Sequence, residues 1–313
     1  MTIEFMQDQG FGIYTLDTDF QRAGLVASHL IVERGHAAFV DVGTSYAVPR
    51  LLDALARLEI PLTHVDAVLV THVHLDHAGG AGRLMQHLPN AHLIVHPRGI
   101  RHMQDPAKLV AGATAVYGVP HMQALFGDLI PVPADRIVPA ADGFEWTLAG
   151  RRLLFLDTPG HARHHYCVYD AQSRGFFTGD TFGLSYREFD TEQGEFIVPT
   201  TTPVQFDPPA FHESIERLMS FKPQRLFLTH FGCVKSPQTL ALELHRKIDH
   251  FVELTRSVAG RPDRHEELKR RMQTSVLSDL RAHGCTLTTE KCLDLMEMDI
   301  ELNAQGLIYW LDH

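Results

Sequence analysis

The chain has 313 residues, 44% of them hydrophobic and 21% charged, which is ordinary for a globular protein of one or two domains. Its formal net charge of −10 argues against nucleic acid and anionic membranes as partners, because both reward a basic surface. No stretch approaches the ~20 apolar residues of a membrane span, and the N-terminus lacks the pattern of a signal peptide. Four cysteines without a Cys-x-x-Cys pair do not make a disulfide framework. We therefore expect a cytoplasmic protein.

Short β-like runs alternate with helices from the start of the chain to about residue 235. Two runs within 24–43 meet at a turn at Gly35-His36, helices are expected at 47–58 and 81–88, strands at 65–70 and 92–96, and a broken helical stretch at 98–130. Strands return at 144–148, 152–157, 166–169 and 175–178, and a helix at 209–220 leads to a strand at 225–229. This alternation predicts an α/β domain over residues 1–235.

The character of the sequence changes after Gly232. Apolar stripes predict helices at 237–258, 263–282 and 289–303, with Asp263 as an N-cap and Gly284 as a stop. Such stripes need a partner face, so the helices should pack on one another or on the preceding domain. Their polar faces mix both charge signs, which argues against a membrane-surface role. We expect a C-terminal helical segment over residues 236–313. If the protein forms a homodimer, we expect these helices to form the interface.

Residues 71–80, Thr-His-Val-His-Leu-Asp-His-Ala-Gly-Gly, carry the strongest chemical signal in the chain. Three imidazoles and one carboxylate (His72, His74, Asp76 and His77) directly follow the predicted strand at 65–70. Imidazole nitrogen and carboxylate oxygen are the usual ligands of zinc and related divalent metals. In a chain with 21 histidines, a solvated histidine-rich loop is the alternative interpretation of this run alone.

Three later segments share one design, in which a β-like run ends on a residue of ligand type. These segments end at His161 in Asp-Thr-Pro-Gly-His, at Asp180 in Phe-Thr-Gly-Asp and at His230 in Leu-Thr-His-Phe-Gly. Glycine or proline beside each residue lets the backbone come close without an intervening side chain. A single histidine or aspartate after a strand is usually a turn or cap residue. The prediction of a metal site therefore rests on the order of these three segments after the run at 71–80.

In this order, His-x-His-x-Asp-His, Pro-Gly-His, Gly-Asp and Thr-His resemble the metallo-β-lactamase superfamily over roughly residues 10–235. The resemblance implies a four-layer αβ/βα sandwich as the catalytic domain at 1–235, followed by the helical extension at 236–313. It also implies two divalent metal ions, with zinc as the expected metal and iron or manganese as alternatives. By matching position, one metal is held by His72, His74 and His161, the other by Asp76, His77 and His230, and Asp180 bridges the two.

The resemblance also implies a reaction. Two metals about 3.5–4 Å apart can share a water, lower its pKa toward neutrality and supply a bridging hydroxide as nucleophile. Asp76 and Asp180 are then the catalytic carboxylates of the site. The true β-lactamases usually lack the bridging aspartate, so a small ester-like substrate, a thioester or lactone, is favoured over a β-lactam. The C-terminal helices are similar to those of the hydroxyacylglutathione hydrolases, although the sequence shows no basic cluster for the carboxylates of glutathione.

Several residues near these motifs are expected to support or border the site. His165 matches a second histidine that often follows the ligand in this superfamily, and we expect it to orient a ligand or the backbone. His164 is expected to point to solvent. Tyr117, Phe182 and Tyr186 lie in segments that should border the site, which makes them candidate substrate contacts.

Two other functional classes remain open at this point. The first is a non-haem iron redox protein, because diiron flavoproteins and persulfide dioxygenases use related frames. The diiron flavoproteins typically carry Glu at the position of His74, and the dioxygenases use a single iron with fewer ligands. The second is a signalling or regulatory protein that retains the metallohydrolase site and contacts a partner through its helices. The complete ligand set favours a hydrolase with a small-molecule substrate.

Overall fold

The computed structural model describes residues 4–202 and 204–313, without the side chains of Val116, Tyr117 and Val119. Its internal contacts divide the chain into two compact units. The first comprises Met1–Asp157, His164–Gly179 and Pro223–Lys235, and the second comprises Thr158–Arg163, Asp180–Lys222 and Ser236–His313. The predicted domain boundary at residue 235 stays a prediction, because compactness does not test whether a segment folds alone.

The first unit contains a seven-stranded mixed sheet. Its strands are β1 (Met6–Asp8), β2 (Ile13–Asp17), β3 (Ala27–Glu33), β4 (His36–Val40), β5 (Val65–Val70), β6 (His92–Val95) and β7 (Ile137–Pro139), and they lie side by side in chain order. The pairs from β1 to β4 are antiparallel, and those from β4 to β7 are parallel. Parallel pairing brings the carboxyl ends of β4 and β5 to one edge, where ligands usually bind in α/β sheets.

A second mixed sheet of six strands belongs to the same unit. Its strands are β8 (Glu145–Leu148), β9 (Arg151–Asp157), β10 (Tyr166–Asp170), β11 (Gly175–Gly179), β12 (Arg225–Leu228) and β13 (Gly232–Val234), in the order β13-β12-β11-β10-β9-β8. Only β11 and β12 pair in parallel. The order shows that the last part of this sheet returns from late in the sequence, which places residue 230 beside much earlier segments.

The two sheets pack face to face through their apolar sides. Ile31 and Leu69 of the first sheet share one buried cluster with Phe155 and Phe177 of the second. The other face of the first sheet packs in a separate buried cluster that includes Leu51. The helices of this unit are α1 (Val48–Arg57), α2 (Leu75–Ala78), α3 (Ala81–Met85), α4 (Ile100–Gln104), α5 (Ala107–Tyr117) and α6 (Val119–Phe126). These layers confirm the predicted α/β sandwich.

The second unit contains four longer helices. They are α7 (Pro208–Ser220), α8 (Pro237–Val258), α9 (Arg264–Ala282) and α10 (Thr289–Asp312), and α8 packs against the other three. The C-terminal helices that the sequence predicts are therefore present. The predicted end of the third helix at Asn303 is wrong, because α10 continues to Asp312. Within the described part of the chain, we find no helix that combines the length and the apolar character needed to cross a membrane.

Candidate metal centre

Three metal-type donor atoms converge at the strand ends of the first unit. Asp76 Oδ2 lies 3.5 Å from His77 Nε2 and 3.3 Å from His230 Nε2. The group of three residues places its donor atoms within 4.8 Å of one another, and both histidines are buried. His77 and Asp76 lie on α2, directly after the loop that follows β5, and His230 lies just beyond the end of β12. Mixed imidazole and carboxylate donors at this spacing suit a divalent cation.

Two further imidazole nitrogens of the first unit lie close to each other. His72 Nε2 lies 2.9 Å from His74 Nδ1, and the two rings meet edge to face with centroids 4.4 Å apart. The intervening Val73 is fully buried and anchors the turn between the two histidines. Residues 72–77 therefore bring donor atoms together in two groups, and their role as metal ligands stays a prediction.

A buried carboxylate that the sequence did not predict fixes the orientation of this cluster. Asp41, just after β4, accepts hydrogen bonds from Thr71 N at 2.8 Å and from Thr229 Oγ1 at 2.7 Å. The Thr71 hydroxyl and His77 Nδ1 also donate to it, at 2.9 and 2.7 Å. Because these donors surround a fully buried carboxylate, the His77 proton lies on Nδ1. The Nε2 lone pair of His77 is thereby turned toward Asp76.

The same tautomer is set at two further histidines of this unit. His230 Nδ1 lies 3.0 Å from the Leu25 carbonyl oxygen. Because a carbonyl oxygen can only accept a hydrogen bond, His230 Nδ1 must carry the proton. His72 Nδ1 lies 3.2 Å from Thr71 Oγ1, and that hydroxyl already gives its proton to Asp41. Both rings therefore present Nε2 as the lone-pair nitrogen. Holding the outer nitrogen of a ligating histidine in this way fixes the ring and raises its basicity.

The second unit holds the other two predicted ligands together. His161 Nε2 lies 3.4 Å from Asp180 Oδ2, and both side chains are buried. His161 Nδ1 donates to the Thr200 carbonyl at 3.2 Å, and Thr200 Oγ1 donates to the Asp180 carbonyl at 2.8 Å. His161 therefore has the same tautomer as the histidines of the first unit.

Helix α10 fixes the loop that orients His161. Asn303 Oδ1 accepts from Thr201 N at 2.5 Å, and Asn303 Nδ2 donates to the Pro199 carbonyl at 3.0 Å. Gly306 lies against the same loop, since a Cβ atom there would come within 1.7 Å of the Thr201 carbonyl oxygen. An asparagine and a glycine in an apolar helical stripe were the only trace of this support in the sequence.

A neutral histidine lies in the core beneath the end of β12. His29 is fully buried, donates from Nε2 to the Leu228 carbonyl at 3.1 Å and accepts from Thr15 Oγ1 at 3.2 Å. Burial lowers the pKa of His29 to about 4, chiefly through desolvation of the charged form. Its proton therefore stays on Nε2 at neutral pH, where it bonds the strand two residues before His230.

The two histidines that follow His161 are both buried. The ring of His165 lies 4.9 Å from that of His72, and a Cβ on Gly179 would come within 2.6 Å of His165 Nε2. The expectation that His164 points to solvent is wrong, because only 8% of it is exposed. The His164 ring lies 5.7 Å from the His74 ring, because the turn after His161 directs His164 and His165 into the protein interior. The orienting role predicted for His165 stays a prediction.

Two of the three aromatic residues predicted as substrate contacts have described side chains. Phe182 and Tyr186 are fully buried, and the Tyr186 hydroxyl donates to Asp299 Oδ2 at 2.9 Å. Both side chains pack within the second unit, and their predicted role as substrate contacts stays a prediction. The side chain of Tyr117 lies outside the described residues.

A sandwich of two mixed sheets with imidazole and carboxylate donors at its strand ends defines an α/β protein of metalloenzyme type. The chain belongs to the metallo-beta-lactamase superfamily, whose family model matches residues 22–230.

The curated relatives include a metallo-beta-lactamase fold-containing protein of Sulfurisphaera tokodaii, 29% identical over 60% of this chain and 68% of its own length. A hydroxyacylglutathione hydrolase of Methylobacillus flagellatus is 28% identical over 61% of this chain and 64% of its own length. The chain thus spans less than two thirds of that hydrolase. An atrochrysone carboxyl ACP thioesterase of Aspergillus fumigatus is 25% identical over 56% of this chain and 41% of its own length.

Solved structures give the same fold. A metallo-beta-lactamase family protein from Thermus thermophilus matches with a TM-score of 0.67 at 22% identity, over 96% of this chain and 93% of its own. An archaeal superfamily protein from Sulfolobus tokodaii matches with a TM-score of 0.60 at 25% identity, over 75% of this chain and 85% of its own. The predicted family and fold are confirmed.

Proposed function

We propose that the protein is a dinuclear metal-dependent hydrolase that cleaves a small ester-like substrate, a thioester or a lactone. The observation that supports this most is the common tautomer of its buried histidines. His72, His77 and His230 each hold Nδ1 against a fixed partner and present Nε2 as a donor atom. A set of neutral imidazoles oriented in this way, with a carboxylate among them, is what a divalent cation requires.

The donor set fits two ions, with zinc preferred and iron or manganese able to use the same ligands. We propose that His72, His74 and His161 would hold one ion, that Asp76, His77 and His230 would hold the other, and that Asp180 would be a ligand shared by both. When bound, such ions supply Lewis acidity and lower the pKa of water toward neutrality. The chain itself contributes fixed ring orientations and a buried setting, in which electrostatic interactions are stronger than in water.

The choice of thioester or lactone is supported by relatives. The names of two of them, a hydroxyacylglutathione hydrolase and an ACP thioesterase, describe hydrolysis of thioesters. The negative net charge argues against nucleic acid as the alternative hydrolase substrate. We also propose a cytoplasmic location, which the four free cysteines support because thiols persist in a reducing compartment.

The experiment is a hydrolysis screen on protein whose metal content has been measured. We expect about two equivalents of metal per chain and turnover of thioesters or lactones, but not of phosphodiesters or β-lactams. His77→Ala should lose both metal and activity. The matched control is His87→Ala, which changes an exposed histidine of the same unit and should alter neither. Turnover confined to phosphodiesters, or oxygen consumption by an iron-loaded protein without hydrolysis, would contradict the proposal.

A further inference from the structure

The second unit contains a cleft that no sequence motif indicated. Its volume is about 760 Å³, within the range of small-molecule sites. The walls are the segment from Val204 to Asp207, the start of α7, the C-terminal half of α8, and the end of α10. All of its lining residues belong to the second unit, so the cleft is complete within that unit.

One wall of the cleft is aromatic and apolar. The rings of Phe206 and Trp310 meet edge to face with centroids 6.1 Å apart, and Phe206 is only 6% exposed. Val252 of α8 lines the cleft beside them. A wall of this kind offers favourable burial and ring contact to an aromatic or otherwise apolar group.

One guanidinium in the cleft lining is available to an anion. The guanidinium of Arg256 lies over the Trp310 ring, 5.7 Å from its centroid, and forms no ion pair with any carboxylate in the described part of the chain. Arg163 supplies a second guanidinium to the lining. A guanidinium stacked on an aromatic face keeps its N–H edge available for a planar carboxylate or a phosphate.

The carboxylates that line the cleft are already engaged. Asp207 Oδ1 accepts from Ala210 N at 3.2 Å as the N-cap of α7. Asp249 Oδ1 accepts from His212 Nε2 at 3.0 Å. Because each of these carboxylates already accepts from another donor, neither occupies the N–H groups of Arg256, which can donate to a ligand in the cleft.

The cleft begins beside a residue proposed to bind metal. Arg163 follows His161 by two residues, a separation of at most about 7 Å along the chain. The segment after His161 is tied to the cleft wall, because Arg163 N donates to Gln205 Oε1 at 2.7 Å. The Arg163 end of the cleft therefore lies within two residues of His161 along the chain.

We infer that the cleft binds the far end of the substrate, and that this end carries a carboxylate or a phosphate on an aromatic or otherwise apolar body. The inference rests on the proposed hydrolase function and assigns Arg256 as the residue that selects the anionic end. The sequence did not indicate this site because Arg163 and Arg256 are distant in the chain, and only the fold places both in the lining of one cleft.

The kinetic test uses metal-loaded protein and three acetyl thioesters of equal length, whose thiols end in a benzoate, a phenyl phosphate or a neutral benzamide. In Arg256→Gln, we expect KM to rise about tenfold for the two anionic thioesters and less than twofold for the benzamide, with kcat unchanged. Arg256 is exposed, so the variant should fold. The anionic thioester with the lower KM identifies the preferred anion.

The matched control is Arg261→Gln. Arg261 lies just beyond α8, outside the cleft, and pairs with Asp263 at 2.9 Å. It should leave all three KM values unchanged. Equal KM values for all three thioesters in the wild type and in Arg256→Gln would overturn the inference.

A binding measurement separates this inference from the proposed function. In a Trp146→Phe background, Trp310 is the sole tryptophan, and its fluorescence should change saturably with a non-hydrolysable benzoate thioether. Arg256→Gln should weaken that binding about tenfold. If no thioester is cleaved but the binding still depends on Arg256, the hydrolase proposal fails and the anion site stands. If the fluorescence does not respond to the benzoate thioether, the site assignment fails.

Discussion

At the scale of single residues, the buried carboxylate of Asp41 links three separate parts of the first unit. It accepts hydrogen bonds from Thr71 after β5, from His77 on α2 and from Thr229 after β12. His77 is itself a proposed metal ligand, and Thr71 and Thr229 each precede one in the sequence. This carboxylate therefore holds the proton of His77 on Nδ1 directly and that of His72 through Thr71, which leaves Nε2 of both rings to bind a cation.

Replacing Asp41 by Asn should weaken metal binding about 10–100-fold. The amide cannot accept on both atoms, so one of its N–H groups would face a donor such as His77 Nδ1 and disturb the tautomer. Competition with a chromophoric chelator measures the effect.

The matched control for this change is Asp66→Asn. Asp66 accepts from His36 Nδ1 at 3.0 Å in a partly exposed pair outside the donor set. It should leave metal affinity unchanged. Equal affinities of Asp41→Asn and the wild type would show that the carboxylate does not set the tautomers.

The buried His29 should make stability depend on pH. Its pKa is about 4 in the folded protein and about 6.5 when unfolded, so the unfolded state binds more protons between these values. Stability is therefore lost as the pH falls from 6.5 to 4, by about 3 kcal/mol in total. Urea unfolding at several pH values should show a smaller loss in His29→Gln than in the wild type. His87→Gln, at an exposed histidine, should keep the full loss, and identical profiles for all three proteins would refute the assignment.

The ligand types were predictable from sequence, but their supports were not. His72, His74, Asp76 and His77 stand out because four ligand-type side chains follow one strand within six positions. Asp41 stands in Asp-Val-Gly after a strand, a context that equally suits a turn. Its role depends on β5 and β12 ending beside β4, which only the sheet order determines.

At the scale of elements, α10 acts as a support for the loop that holds His161. Asn303 binds the backbone on both sides of Thr200, and Gly306 lets the helix approach Thr201 without a side chain between them. Because the Thr200 carbonyl accepts a hydrogen bond from His161 Nδ1, the position of this helix affects the orientation of His161, a proposed metal ligand.

Gly306→Ala should therefore destabilise the protein by about 2–3 kcal/mol, although alanine is the better helix former. The added Cβ would lie 1.7 Å from a backbone oxygen, so the helix or the loop must shift. Chemical denaturation measures the stability, and chelator competition should show weaker metal binding.

The same substitution at Gly112 provides the control. Gly112 lies within α5, and nothing lies within 4 Å of the position of its Cβ. Gly112→Ala should gain about 0.5–1 kcal/mol from helix propensity alone. If both variants changed stability in the same direction, close packing of α10 on the loop would not be the reason.

Element prediction succeeded where the apolar pattern was strong. The strand at 65–70 and the helix at 237–258 were placed with their observed bounds. The short edge strands β1, β7 and β13 were not placed, because three residues give no periodicity to detect. The predicted end of α10 at Asn303 is too early because glycine disfavours a helix by propensity. In the structure, packing of Gly306 against the loop at Thr201 lets the helix continue.

At the scale of the whole molecule, the net charge of −10 predicts that bound cations would stabilise the folded state. Asp76, Asp180 and the buried Asp41 add negative charge close to the donor atoms, and divalent ions would offset it. A ligand that binds only the folded state stabilises it by about 4 kcal/mol at a thousand times its Kd.

Removal of the metal by a chelator should therefore lower Tm by roughly 10 °C, and added zinc should restore it. The fall should be smaller at high salt, because screening reduces repulsion among the carboxylates left behind. His77→Ala is the control, since a chain that has lost its metal has nothing for the chelator to remove, and its Tm should not respond. A wild-type protein that is shown to be metal-free and yet keeps the Tm of the loaded protein would contradict the prediction. That result would mean that the hydrogen bonds to Asp41, Leu25 and Thr200 are sufficient to hold the donor set without an ion.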